Sequence, residues 1–486
     1  MNIAADLQNR SLRWSERPAL YEGGTSWSHG RLHDTAARAA SVLAGRGVRP
    51  GTRVLLALPD GIAWVTAFLA VARLGAIAVL ANPALPERDH GFIAQDAEVV
   101  LALCEDGIAD RFAGTGSLSG DRMLAEAAGA VPAPAADVFR DTPLYVQYTS
   151  GTTGSPKGVV HRHADLWHYH AAFGAARLRL GPQDVTFSVS RLFFAYGFGN
   201  SLVLPLYSGG SAVLTAERPG PALVAETVER HRVSVLYAVP SAYAALAAGT
   251  DPSAFTGLRA AVSAGERLVP AHGERYSQFL GTPLLDQLGS TEAGHAMCAN
   301  GVDDNTPGTI GRPVPGFEFK ILAKSGEEIG GAGEGELWVR GPSVTTGYLN
   351  RPEETADTLA DGWLATRDRV RRNPDGTYTH LGRTDDLEMV GGITVSPLEV
   401  EQVLGEHPGV GDVAVACVLD EAGASRLHAF VVPTARASDR LAEELTHLAR
   451  GRLAAFKVPR SVRTVPALPR TQTGKLQRFL LRQGAW

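Results

Sequence analysis

The sequence predicts a mixed α/β protein: a large N-terminal domain with mixed β-sheets and flanking helices, followed by a small α+β C-terminal domain. Two observations carry this. A short apolar strand, a tight turn and an amphipathic helix recur along the chain, the pattern of α/β layers. A chain of 486 residues with 44% apolar content is also too long for one ordinary core, so two or more domains are expected.

Taken in order, Leu32, Ala36, Ala39 and Leu43 repeat at helical spacing and stop at Gly45 to Gly47, ahead of a strand at Arg53 to Leu58. Ala127 to Ala136, rich in Ala, Pro and Gly, is the linker candidate leading into the strand before residue 150. Val233 to Ala238 reads as a buried strand meeting Pro240, and Ala260 to Ser263 as another meeting Ala264-Gly265-Glu266. Such alternation puts ligands at the carboxyl ends of strands. Near the end, Ser396-Pro397-Leu398-Glu399 combines an N-cap serine, a proline at the first helical position and a glutamate for a capping box. Strands at Asp412 to Leu419 and Leu427 to Val432 follow, then a helix with Leu441, Leu445 and Leu448 on one face. The boundary is expected just after Arg383, giving domains 1–384 and 385–486.

A net charge of −5 argues against a surface built for nucleic acid. Cys104, Cys298 and Cys417 are far apart and odd in number, which suggests neither a disulfide framework nor a zinc site. No basic segment followed by an apolar one opens the chain. The most apolar region, Val54 to Leu80, is interrupted by Pro59, Asp60, Gly61 and Arg73, so no membrane span is expected. These features predict a cytoplasmic protein, monomeric or homodimeric.

The most informative segment is Tyr148-Thr149-Ser150-Gly151-Thr152-Thr153-Gly154-Ser155-Pro156-Lys157-Gly158-Val159-Val160. Glycines allow the backbone N–H groups to approach an anion, the hydroxyls of Thr149, Ser150, Thr152 and Thr153 add donors, and Lys157 adds a mobile charge. That is the chemistry of a phosphate grip. It is not a Walker loop, which would need glycine where Pro156 stands. A flexible Gly/Ser/Thr linker is the bland alternative.

The loop resembles the signature of the adenylate-forming enzymes, which include acyl- and aryl-CoA synthetases, peptide-synthetase adenylation domains and firefly luciferase. The resemblance continues in order through Leu288-Gly289-Ser290-Thr291-Glu292, Gly362-Trp363 to Asp368, Gly382-Arg383-Thr384-Asp385-Asp386 and Pro469-Arg470-Thr471-Gln472-Thr473-Gly474-Lys475, covering nearly the whole chain. It implies ATP, Mg²⁺ and CoA as reactants and cofactors, and a carboxylate that attacks the α-phosphate of ATP. Charge at that phosphate must be neutralised by metal, lysine and backbone donors. By resemblance, ATP is bound by Thr149, Ser150, Gly151, Thr152, Thr153, Gly154, Lys157, Gly265, Glu266, Gln287, Asp368 and Arg383. Thr291 contacts phosphate and Glu292 holds the metal, although Ser290 or Thr291 capping a helix would also explain that sequence. Asp368 accepts from the ribose hydroxyls with Arg383 beside it; without the family it would look like a surface charge cluster. Lys475 bridges the α-phosphate and the attacking carboxylate. The resemblance puts a hinge at Asp385, about which the small domain rotates between two active arrangements.

For the second half-reaction, Gly391-Gly392 would admit the pantetheine arm of CoA, unless they merely bend the chain before the Ser396 helix. Many relatives carry lysine where Met389 stands here, so no small-domain charge is carried over to that step. Substrate class rests on Arg191-Leu192-Phe193-Phe194-Ala195-Tyr196-Gly197-Phe198-Gly199-Asn200, which resembles benzoate-CoA ligases. Aromatic rings at alternate positions can wall a flat slot, with the Tyr196 hydroxyl at its edge; a buried aromatic-rich strand and turn is the alternative. Phe194, Ala195, Tyr196, Ala264, Gly289 and His295 are the expected aryl-acid residues, and His295 could meet the carboxylate or a ring substituent. Leu288, where many members have tyrosine, is another benzoate-ligase-like feature. The expected activity is aryl-CoA formation from a small aromatic acid such as a benzoate, aminobenzoate or hydroxybenzoate. The alternatives are a stand-alone adenylating enzyme that loads a carrier protein, and a non-catalytic binding protein on the same fold.

Overall fold

The computed structural model describes residues 2–149, 156–384, 388–390, 393–419, 425–470 and 476–483. Lys475, Asp385, Gly391, Gly392, Ser150, Gly151, Thr152, Thr153 and Gly154 lie outside them.

Among the described residues, a six-stranded sheet takes the order Ser117–Leu118, Val99–Cys104, Arg53–Ala57, Ile77–Leu80, Pro143–Thr149, Lys157–Arg162. Its strands pair in parallel except for the last two. The apolar Val54 to Leu80 region is two of these strands joined by the helix Ile62–Arg73, whose Trp64, Val65, Phe68 and Leu69 are fully buried. At 12 residues it is a core helix, and among the described residues no helix is long and apolar enough to cross a membrane.

A nine-stranded sheet has the order Arg312–Pro313, Ala296–Ala299, Leu284–Gly289, Ala260–Ser263, Val235–Ala238, Val185–Ser188, Ser211–Leu214, Pro18–Glu22, Thr25–Ser28. Its central strands are parallel, so Ser188, Ala238, Ser263 and Gly289 end on one edge. That edge is where a parallel sheet presents a ligand site. A five-stranded antiparallel sheet, centred on Gly333–Arg340 and Trp363–Arg372 and including Tyr378–Arg383, completes this part. The small C-terminal part has the hairpin Glu388–Val390 and Ile393–Val395, and a sheet of Val410–Leu419, Ser425–Pro433 and Ser461–Thr464. Helices Pro397–Gly405 and Leu441–Arg452 share a core with it through Val400, Leu404, Leu441 and Leu445.

Two local expectations are corrected. Ala127 begins no linker, because the helix Gly120–Gly129 runs through it and buries it with Met123. Residues 130–136 then run as a pinned strap. Ala133 N–H donates to Ala37 O at 2.8 Å, Ala136 N–H to Arg73 O at 2.8 Å, and Asn2 Nδ2 to Ala136 O at 3.2 Å. The capping box at Ser396 does not form either. Ser396 Oγ donates instead to Leu381 O at 3.3 Å, and the Glu399 carboxylate pairs with Lys457 at 2.6 Å. A nearby carbonyl and a full positive charge outcompete the two backbone amides.

Candidate active site

The phosphate-grip segment joins two antiparallel strands. Thr149 lies opposite Lys157 and Tyr148 opposite Gly158, so the residues flanking 150–155 sit side by side in the sheet. Thr291 and Glu292 lie in the connection between Leu284–Gly289 and Ala296–Ala299. That connection is a turn, not a helix: Ser290 Oγ accepts from Ala293 N–H at 3.1 Å, a local serine turn. The two places are tied together. His161, on the strand after the loop, reaches Thr291 O through Nε2 at 2.7 Å, and Tyr348 Oη donates to Glu292 Oε1 at 2.9 Å. Lys157 Nζ sits 5.3 Å from the centroid of the Tyr348 ring.

Behind Thr291 lies a buried polar group unanticipated from sequence. His161 Nδ1 lies 3.1 Å from Asp165 Oδ2 and 3.1 Å from Tyr169 Oη. Tyr169 Oη in turn bonds Tyr145 Oη at 2.9 Å, and Asp165 pairs with Arg162 at 2.9 Å. A histidine and an aspartate four residues apart across a strand end are the signal that could have found it.

Asp368 and Arg383 face each other across adjacent strands, with Arg383 Nη1 3.9 Å from Asp368 Oδ1. His380 Nε2 lies closer, at 3.1 Å. Burial alone would raise the Asp368 carboxyl; the His380 bond, with Arg383, outweighs it and holds the group below its usual range. Asp368 is thus a buried, ionised acceptor. Arg367, next to it, bears electrostatically on Tyr348, which brings this strand towards the Glu292 turn.

At the strand ends, Ala264 is buried and Gly265 takes a left-handed turn. The Glu266 carboxylate accepts from Ser241 N–H at 2.9 Å and Ser241 Oγ at 2.8 Å, and pairs with Arg470 of the small domain at 2.7 Å. Arg267 also crosses over, to Gln402 Oε1 at 2.8 Å. Beside them, Asp286 Oδ1 and Gln287 Oε1 are buried with no hydrogen-bond partner among the described residues. Burial pushes the Asp286 carboxyl up to about 8. Asp286 was missed from sequence, although a carboxylate in the buried run Leu284-Leu285-Asp286-Gln287 was the available clue.

The aromatic segment does not alternate as a strand would. Phe194 precedes a helical turn, Ala195–Phe198, so the rings diverge. Phe198 enters the core against Phe68 and Tyr145, Phe193 is buried, and Phe194 and Tyr196 stay partly exposed. The Tyr196 hydroxyl donates to Val262 O at 2.9 Å, so it braces a strand end. His295 is enclosed by the rings of Phe173, Tyr169 and Tyr196, at centroid distances of 5.4, 6.2 and 6.3 Å. Its Nε2 meets Asn200 Oδ1 at 3.1 Å, and His295 Nδ1 and Asn200 Nδ2 have no partner among the described residues. Burial lowers the imidazole to about 3, leaving it neutral. Two glycines make this enclosure possible. A Cβ on Gly199 would lie 2.1 Å from His295 Cδ2, and one on Gly294, at φ +80°, would lie 1.9 Å from Tyr169 Oη. Gly289 pairs with Ala296 at a register shift on the other side.

Thr291, Glu292, Lys157 and Tyr348 therefore form one polar cluster, with Asp286 and Gln287 on the strand leading into it and the His295 enclosure following it. The AMP-binding enzyme family matches residues 7–349, and the AMP-binding enzyme C-terminal domain matches residues 399–475. A p-hydroxybenzoic acid–AMP ligase of Mycobacterium tuberculosis is 41% identical over 97% of this chain and 67% of its own length. A benzoate–CoA ligase of Thauera aromatica is 37% identical over 99% of this chain and 95% of its own. A benzoate CoA ligase crystal structure from Burkholderia xenovorans LB400 superposes with a TM-score of 0.92 at 34% identity, covering 99% of this chain and 100% of that one. With its fold, its cluster and its sequence in agreement, the chain belongs to the AMP-binding family of adenylate-forming enzymes and is benzoate–CoA ligase-like.

Proposed function

We propose that the protein joins a small aromatic carboxylic acid to ATP, forming aryl-AMP and pyrophosphate, and then transfers the aryl group to the CoA thiol with release of AMP. The observation that carries this is the run of orphaned buried polar atoms along the ligand edge: Asp286 Oδ1, Gln287 Oε1, Asn200 Nδ2 and His295 Nδ1. Buried polar atoms without partners are costly unless a ligand completes them.

On this reading Asp286 and Gln287 offer oxygens to the amino group of adenine. Asp368, ionised and oriented by His380, accepts from the ribose. Lys157 and Thr291 serve the phosphates. Glu292 suits Mg²⁺: Oε1 is oriented by Tyr348, and Oε2 makes no hydrogen bond among the described residues. No group of three or more metal-ligating side chains exists among them, in keeping with an ion held by one carboxylate plus substrate phosphates. The ion would withdraw charge from the phosphate oxygens when bound. Lys475 is the cation the resemblance assigns to the reacting carboxylate, and rotation about Asp385, between domains 1–384 and 385–486, would exchange it for Gly391-Gly392 and CoA.

On this reading the aromatic acid lies against Phe194 and Tyr196, the partly exposed rings of the segment, with His295 behind Tyr196. A neutral His295 that donates from Nε2 to Asn200 leaves Nδ1 as an acceptor, which favours a ring bearing hydroxyl or amino over bare benzoate. A second reading changes the acceptor to the phosphopantetheine of a carrier protein. It is favoured by one observation: the relative at 41% identity is named for its AMP product. Against it, such loaders usually carry a polar residue where Phe194 stands.

Mass spectrometry of products from ATP, Mg²⁺, CoA and a panel of benzoates, cinnamates and short fatty acids tests this. Aryl-CoA from one or two substituted benzoates is expected. Accumulation of aryl-AMP with CoA unused would transfer the assignment to the carrier-protein reading, and products from fatty acids alone would overturn both.

A further inference from the structure

We propose that Tyr348 is the positioning residue shared by both charged groups of the phosphate site, its hydroxyl fixing Glu292 and its ring face holding Lys157; this rests on the function proposed above.

Tyr348 is anchored by its backbone, so its side chain is aimed and not merely nearby. It bridges Val159 in antiparallel fashion, and its N–H donates to Thr355 Oγ1 at 2.9 Å. Leu349 N–H donates to Gly158 O at 2.7 Å and Val160 N–H to Gly347 O at 3.2 Å. Two residues before that pairing, Thr345 joins the other partner: its N–H donates to Glu292 O at 2.7 Å and its Oγ1 to Val160 O at 2.6 Å. The segment 345–349 is therefore a strap sewn both to the strand leaving the phosphate loop and to the Glu292 turn.

From that strap the tyrosine acts in two directions with two parts of one side chain. The hydroxyl donates to Glu292 Oε1 at 2.9 Å, which fixes the carboxylate rotamer and turns Oε2 to the other side. The ring, 5.3 Å from Lys157 Nζ, holds the ammonium by cation–π attraction without donating or accepting a proton. A carboxylate or hydroxyl in that place would bind lysine more tightly and compete with phosphate. Lysine on an aromatic face stays extended, remains near the loop, and can leave for an anion. The two functions are chemically separable, which makes the idea testable.

The test is calorimetric titration of ATP, without any aromatic acid, in excess Mg²⁺ and in EDTA, on wild type, Tyr348→Phe and Tyr348→Leu, with melting curves of each. Phenylalanine keeps the ring and loses the donor. It is expected to shrink the Mg²⁺-dependent gain in ATP affinity about ten- to 150-fold, the loss of one hydrogen bond to a charged group, with a much smaller change in EDTA. Leucine is expected to lose that gain and also to weaken ATP binding in EDTA. An undiminished Mg²⁺ gain in Tyr348→Phe would overturn the metal arm, and unchanged EDTA affinity in Tyr348→Leu the lysine arm. Equal losses in both media for Tyr348→Phe would mean a merely structural role. Because no acid is present, these outcomes are independent of the product assay.

Discussion

On the function proposed above, Arg470 offers the sharpest separation of the two half-reactions. It leaves the small domain to pair with Glu266 at 2.7 Å while holding Asp412 of its own domain at 2.7 Å, five residues before Lys475. Replacing it with alanine removes a charge-assisted bond to a carboxylate that is only 7% exposed. Glu266 keeps both Ser241 donors, so it is not orphaned, and the loss is that of one bond to a charged group, about 1.5–3 kcal/mol. Expressed as domain docking, that is about ten- to 150-fold. If the docked arrangement is the one that adenylates, acid-dependent exchange of labelled pyrophosphate into ATP falls by that factor in Arg470→Ala. Thioester formation from preformed aryl-AMP and CoA stays near the wild-type rate. Equal losses in both assays, or a loss confined to the thioester step, would refute the reasoning.

Three other outcomes are expected. Gly199→Ala places a methyl on His295 and should raise KM for the aromatic acid about tenfold or more with KM for ATP unchanged, since overpacking costs about 1–3 kcal/mol; steady-state kinetics in both substrates checks it. His380→Phe removes a bond to the ionised Asp368 and should raise KM for ATP about tenfold or more, at the scale of one hydrogen bond to a charged group, with little change for the acid. His29, His163, His170 and His272 are lowered to about 4, and His33 and His295 to about 3, all by burial first. Depressed folded values mean the stability they contribute is complete above about pH 6.5 and is lost as pH falls, by about 2 kcal/mol each at pH 5. Melting curves between pH 7.5 and 5 should descend steeply, and a flat profile would contradict their neutral burial.

What could be read in the sequence was what depends on local pattern. The helix through Leu32 and Leu43, the strands ending at Ala238 and Ser263, and the strand before the phosphate loop follow from periodicity and turn residues. What escaped depends on distant partners. Ser396 carries every local mark of a capping box, and Leu381, 15 residues away, decides otherwise. The aromatic run suggested alternation because ring spacing alone does not distinguish a strand from one helical turn. Tyr348 acquires meaning only when strands far apart in sequence are brought side by side, and the local signals at His161 and Asp286 do not by themselves say which partners they meet.

The serine that opens the Pro397 helix has two possible partners of similar strength. One is the carbonyl of Leu381 that it holds now; the other is the amide of Glu399 in its own first turn. An N-cap bond and an ordinary neutral hydrogen bond are each worth about 1 kcal/mol. The hydroxyl can donate to the one and accept from the other, so its bond to Leu381 ties the helix Pro397–Gly405 to the strand Tyr378–Arg383 without foreclosing the helix's own cap. On the proposed rotation, breaking that tie costs only about the 1 kcal/mol of one neutral hydrogen bond.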